Sequence, residues 1–227
     1  MRTPLFVLFA LFVYQTTVAQ IYEIGGFLGG SNYIGDIGKT DYIAPNEMAY
    51  GFLFRWNRSA RHSWRISYTQ SKITANDAEA TSPSRQQRGF SFENDIKEIS
   101  AGLEFDFFDF DLHDYKPKFT PYVYTGLSYL SYNGLFFVGN DPKYDTTHST
   151  LAIPMTVGVK ARFFDNIVFG FESGARYAFQ DDLDGSNPTN DNLSNARFGN
   201  INSNDWYVFT GFTLTYTFGD KPCFCSN

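Results

Sequence analysis

"LAIPMTVGVKARF", residues 151–163, alternates from end to end. Leu151, Ile153, Met155, Val157, Val159, Ala161 and Phe163 are apolar, and between them stand Ala152, Pro154, Thr156, Gly158, Lys160 and Arg162. Successive side chains of a strand point to opposite faces, so this stretch has one wholly apolar face and one that is small or charged. Residues 97–107 repeat the pattern, with Ile99, Ala101, Leu103, Phe105 and Phe107 against Glu98, Ser100, Gly102, Glu104 and Asp106. So does the last such stretch, where Val208, Phe212, Leu214, Tyr216 and Phe218 oppose Gly211, Thr213, Thr215 and Thr217; Phe209 and Thr210 depart from it.

Working outward, period-2 runs place eight strands at 21–32, 47–57, 62–73, 95–108, 119–131, 150–163, 167–178 and 205–218. Each is long enough to cross a bilayer as a tilted strand of about 9–11 residues. The connections after strands one, three, five and seven are long and rich in Asn, Asp, Ser and Gly. Those after strands two (58–61) and six (164–166) are short, and the one after strand four is intermediate. Long external loops alternating with short periplasmic turns are the habit of outer-membrane barrels. The expected fold is therefore all-β, an eight-stranded antiparallel transmembrane β-barrel of the outer membrane. A secreted β-sandwich would also explain the alternation and the glycines. It explains less well the terminal Phe218, the strand lengths and the apolar faces flanked by Tyr and Trp.

The compartment fits. Residues 1–19 read as a signal peptide: Arg2, an apolar run from Leu5 to Tyr14, and the small-residue site Thr17-Val18-Ala19. Residues 20–218 are then the barrel and 219–227 a periplasmic tail. Removing 1–19 leaves 208 residues with 17 basic and 24 acidic side chains, a net charge of −7 against −6 for the whole chain. With no Lys/Arg stripe to neutralise phosphates, nucleic-acid binding is not expected. Mean hydropathy is −0.29 although 19% of residues are aromatic, as alternation would produce in a barrel whose apolar half faces lipid.

Eight strands leave a lumen just wide enough to be filled by side chains. The inward set includes Glu23, Arg55, Arg65, Glu98, Glu104, Asp106, Lys160, Arg162, Glu172 and Arg176. Both signs occur in similar number, as a buried network requires. A structural plug of ion pairs is expected, rather than a polar pathway, a catalytic cluster or a conducting pore.

Little in the sequence carries chemistry. His62, His113 and His148 lie far apart, in predicted turns or loops, and read as solvated. No nucleophile elbow, phosphate loop or zinc motif occurs. Asp182-Leu183-Asp184-Gly185-Ser186-Asn187 is a faint calcium pattern lacking the full loop and its closing Glu, and reads as an Asn/Asp-rich turn in a polar, flexible external loop. No catalytic residue, cofactor or metal is assigned.

Several stretches together resemble a known family. They are "YEIGGFLGGSNYIGDIG" (22–38), "APNEMAYGFLFRWNRSAR" (44–61), "RGFSFENDIKEISAGLEFDFF" (88–108), "FTPYVYTGLSYL" (119–130) and "FGDKPCFC" (218–225). In order and over nearly the whole mature chain, they are similar to the PorG family, small outer-membrane barrels of the type IX secretion system of gliding and related bacteria. The resemblance implies a non-enzymatic subunit of the protein-export and gliding machinery, in the outer membrane of a Gram-negative bacterium. It implies as partners outer-membrane lipids, other secretion subunits and a periplasmic ring of a PorK-type lipoprotein with a PorN-type protein, which the barrel would anchor. An outer-membrane enzyme and a surface adhesin are the competing classes; the first needs a convergent rim constellation, and the second would place its specificity in the 179–203 loop.

Two surfaces would serve a scaffold: the 109–118 turn and the tail with Cys223, Phe224 and Cys225. With both termini periplasmic, the tail sits in an oxidising compartment. Cysteines one residue apart bridge each other only in a strained ring that closes almost no loop. Two outcomes stand open: a mixed disulfide with a periplasmic partner, with Phe224 packing on it, or cysteines paired to each other in a disordered tail. The resemblance points to the PorK-type lipoprotein as that partner.

Overall fold

The computed structural model describes residues 21–112, 116–164, 166–200 and 203–219. Eight strands form one closed antiparallel ring: β1 (Ile21–Ile34), β2 (Glu47–Asn57), β3 (His62–Asn76), β4 (Ser91–Asp106), β5 (Lys118–Val138), β6 (Asp141–Phe164), β7 (Ile167–Ala178) and β8 (Trp206–Phe218). Each strand pairs with its sequence neighbours, and β8 returns to β1 from Tyr22↔Phe218 to Ile34↔Trp206. Closure leaves no edge in the wall, which a strand in hydrocarbon requires because no water is there to satisfy free N–H and C=O groups.

The outer wall is apolar. Val157 is 62% exposed while Thr156 is 2% exposed, and Phe52, Leu28, Ile66, Ile99, Phe171 and Phe212 are exposed on the same surface. On β4 the apolar outer face runs from Ile99 to just past the strand at Phe107, the length of one tilted crossing. Exposed Tyr50, Tyr68 and Tyr129 mark one border of the belt, and Trp64, Phe107, Phe119, Phe163 and Phe164 the other. Directly above the first border the paired outer positions turn polar: Gln70↔Lys97, Lys97↔Ser131 and Ser131↔Ser149. Aromatic girdles at both limits of an apolar band define the membrane-facing surface.

Three expectations need correction. The connection after strand five is not a long loop. β5 and β6 continue as a hairpin to Val138↔Asp141, turning on Gly139 (φ 66°) and Asn140, with a bulge near Gly134. Leu135 and Phe137 are buried and reward the extension, and Gly-Asn is a two-residue hairpin signal passed over in the sequence. His148 consequently lies in β6, not in a loop.

Second, the turn after β4 is not wholly free below the barrel. Phe110 and Leu112 fold back under it and pack with Ile21 and Val168. The Phe110 amide donates to Ala60 O at 2.8 Å, and Arg162 donates to Leu112 O (2.7 Å) and Lys116 O (3.1 Å). Third, the 179–203 loop is not external along its length: residues 181–186 are buried inside the opposite mouth, where Leu183 joins Tyr33, Ile37, Phe92, Leu135, Phe137 and Tyr207. Its far part, around the 3₁₀ turn Asp191–Ala196, stands out.

Of the two remaining long connections, after β1 and β3, the latter carries a 3₁₀ turn, Asp77–Glu79, and a six-residue helix, α1 (Pro83–Arg88). Asn76 caps the first by accepting from Ala78 N, and Gly89 ends the second in the left-handed region (φ 71°). On β8, Phe209 keeps its inward parity as a lumen aromatic, and Thr210 faces outward, where its hydroxyl lies 2.8 Å from that of Ser173.

Candidate functional site

The lumen between the two plugs is ionic. All ten residues that alternation turns inward are at most 4% exposed, five acidic (Glu23, Glu98, Glu104, Asp106, Glu172) and five basic (Arg55, Arg65, Lys160, Arg162, Arg176). Glu104 is the hub: it meets Arg55 Nε at 2.9 Å, Lys160 Nζ at 2.8 Å and Arg65 Nη1 at 3.6 Å. Lys160 also holds Asp106 at 2.9 Å, and Arg55 holds Glu23 at 3.2 Å. Glu23 accepts further from Asn57 (2.9 Å) and Thr215 (2.6 Å).

Across the lumen, Arg65 makes a bidentate pair with Glu172, 2.7 Å at each contact, and the Tyr122 hydroxyl donates to the same carboxylate. Bidentate guanidinium–carboxylate pairs fix orientation as well as charge. Nearer the loop end, Arg176 lies 3.5 Å from Glu98, which accepts from Tyr207 at 2.6 Å. Aromatic faces line the cations: Tyr124 under Arg65 (4.9 Å), Phe209 under Arg176 (4.5 Å) and Phe110 under Lys160 (4.9 Å). Arg162 is spent on the carbonyls of the folded-back turn.

Alternation identified these ten residues but missed their tyrosine partners. Tyr122, Tyr124 and Tyr207 share the inward parity, and that was the available signal. What the arrangement does is neutralise and fill. Its carboxylates are engaged by cations, and a buried apolar cluster lies toward each end of the barrel. Among the described residues, no group of three or more His, Cys, Asp or Glu is arranged to hold a metal ion.

A second polar cluster sits in the mouth at the loop end. Asp182 accepts from the Tyr132 hydroxyl and lies 2.8 Å from His148 Nδ1. Asp205 accepts from the Tyr33 hydroxyl and, at 2.9 Å, from Leu183 N. Asp184 is fully buried, with Oδ1 accepting from Ser186 N at 2.8 Å and Oδ2 without a hydrogen-bond partner. Burial, with Asp184 and Asp36 close by, pushes the Asp181 carboxyl up to about 7, and burial likewise raises Asp184 and Asp205. The sequence flagged Asp182–Asn187 as an Asn/Asp-rich turn; Asp205, 21 residues beyond Asp184, gave no local signal.

Of the remaining expected site residues, Cys223, Phe224 and Cys225 lie outside the described residues, as does His113. His62 is exposed at the start of β3, beside Ser59.

A closed eight-stranded antiparallel ring with a lipid-facing belt and a charge-filled lumen is an outer-membrane β-barrel protein. Its family follows from the sequence: the model of DUF6089, a domain of unknown function, matches residues 2–227, and the chain belongs to that family. Among curated proteins none matches. Among solved structures it is similar to Ail, the attachment invasion locus protein of Yersinia pestis, solved in complex with the heparin analogue sucrose octasulfate (10% identity, 88% of this chain and 99% of that one, TM-score 0.45). It is similar also to the N-terminal β-barrel domain of Pseudomonas aeruginosa OprF (11%, 88% and 97%, 0.45) and to Neisserial surface protein A (12%, 88% and 96%, 0.45). The membrane assignment rests on the outer wall of this barrel and not on those likenesses.

Proposed function

We propose that the protein is a PorG-type subunit of the type IX secretion machinery: a non-enzymatic barrel that anchors a periplasmic ring of PorK-type lipoprotein and PorN-type protein to the outer membrane. The observation that carries the reading is the filled lumen, whose ten charged side chains are at most 4% exposed. A barrel plugged at both ends and filled with mutually neutralising charges is suited to hold something in place, not to pass or transform it. The resemblance of residues 22–38, 44–61, 88–108, 119–130 and 218–225 to that family supplies the machine. In this reading both termini, the short turns and the folded-back Phe110 and Leu112 face the periplasm, and the β5–β6 hairpin and the 179–203 loop face outward. A tag at Asn190 is then labelled on intact cells.

The tail supplies the contact. Cys223 or Cys225 forms a mixed disulfide with the ring lipoprotein, and Phe224 packs beside it. The test is affinity purification of the tagged protein from solubilised membranes, followed by mass spectrometry and non-reducing gels. Ring lipoprotein should co-purify, and a thiol-sensitive heavier band should disappear in Cys223→Ser/Cys225→Ser. Absence of the ring proteins contradicts the anchor; their presence without the band removes only the crosslink.

The β5–β6 hairpin favours a second reading, a surface-binding barrel. It continues past the last β6–β7 pair, Ala152↔Ala178, to Asp141 and exposes Tyr144 and Val138. Replacing residues 134–146 by a short turn would abolish that function and leave ring co-purification unchanged.

A further inference from the structure

The aspartates in the loop-end mouth pose a charge problem that the anchor role does not use. Asp181, Asp184 and Asp205 are at most 7% exposed. The nearby Arg88 is committed elsewhere, holding Asp77 at 2.7 Å and donating to Asp36 O, and the His148 ring meets Asp182. The neighbouring strand ends contribute only hydroxyls, Tyr33 from β1 to Asp205 and Tyr132 from β5 to Asp182. Asp36 adds a further carboxylate, accepting from Asn200 N at 3.0 Å.

Ionised carboxylates buried without counter-charge are expensive, and they relieve the cost by taking up protons or cations. The carboxylates do not converge as metal ligands would. Asp184 is fully buried and meets Tyr33 and Ser186 rather than a cation, which suits a protonated carboxyl. We infer that residues 181–186 form a proton-controlled latch: protons held by Asp181, Asp184 and Asp205 keep them inside the barrel mouth, and loss of those protons releases them.

The sign follows from the direction of the shifts. A carboxyl whose value is raised in the closed state stabilises closure fully below its ordinary value near 4 and ceases to do so as pH rises through the raised one. Asp181 places that loss around pH 7, with Asp205 raised well above the ordinary range. Closure is therefore tight in acid and weakens through neutrality.

Hydrogen–deuterium exchange on the full-length protein in lipid nanodiscs tests the latch, with rates normalised for intrinsic pH dependence. Between ~pH 5 and ~pH 8.5, amides 181–187 should lose protection by at least ~10-fold while the β1–β8 amides hold. Asp181→Asn and Asp184→Asn, neutral at every pH, should each flatten that response; a heat-modifiable gel shift verifies folding, and the wild-type titration stands without them. Equal protection at both pH values overturns the latch. So does an undiminished pH response in both variants, or protection at the higher pH that calcium or magnesium restores in the wild type, which would assign a cation site instead.

Discussion

Val157 lies on the outer wall and Thr156 in the lumen, though one peptide bond separates them. Arginine on the lipid face at mid-depth costs about 2–4 kcal/mol, so Val157→Arg should lower barrel stability by that much in urea titrations in lipid vesicles. Thr156 Oγ1 is buried with no hydrogen-bond partner, so Thr156→Val should be neutral or slightly stabilising. Equal losses would invert the assignment of faces. At the hub, Glu104→Ala leaves Arg55, Lys160 and Arg65 facing an uncharged gap and should cost about 3–5 kcal/mol in the same titration. A loss below ~1 kcal/mol would mean that the remaining carboxylates re-pair freely. Parity told which residues point inward because the strand period is two. It did not tell that Arg65 meets Glu172, 107 positions away, since pairing across a lumen depends on shear and tilt rather than on local pattern.

The strands themselves were largely legible. β2 and β7 match the alternation at both ends, while β4 starts at Ser91 rather than 95 and β3 runs on to Asn76. The segments that fold inward were not legible. Residues 181–186 look like solvent loop because their burial is secured far away in sequence, by Tyr132 donating to Asp182 and by Leu183 packing in the cluster that holds Tyr33. Phe110 and Leu112 sit among charged neighbours that mask a hydrophobic plug. Closure depends on a different feature, the β1–β8 seam, where Gly29 faces Gly211. A Cβ on Gly29 would stand 2.2 Å from Thr210 O and 2.5 Å from Gly211 Cα, backbone atoms that cannot step aside. Gly29→Val should therefore abolish the folded, heat-modifiable band on gels, whereas Gly26→Ala, whose Cβ meets only Gly51 O at 3.6 Å, should keep it. Folding of both variants to the same extent would mean the seam tolerates a wider spacing.

For the whole molecule, three features combine: an apolar belt that places it in the membrane, a lumen with as many acids as bases, and a plug at each end. Together they make a body that sits in lipid without opening it. The sequence carried the belt and the charge balance, because both are periodic; the plugs it withheld, because both are tertiary. The anchor reading stands or falls on the seal, which electrical recording reads directly. Purified full-length protein reconstituted into planar bilayers at ~pH 5, where the loop-end segment is closed, should give no channel steps above the leak of protein-free membranes under a sustained applied voltage. Stable, reproducible conductance steps from the folded barrel would contradict the account.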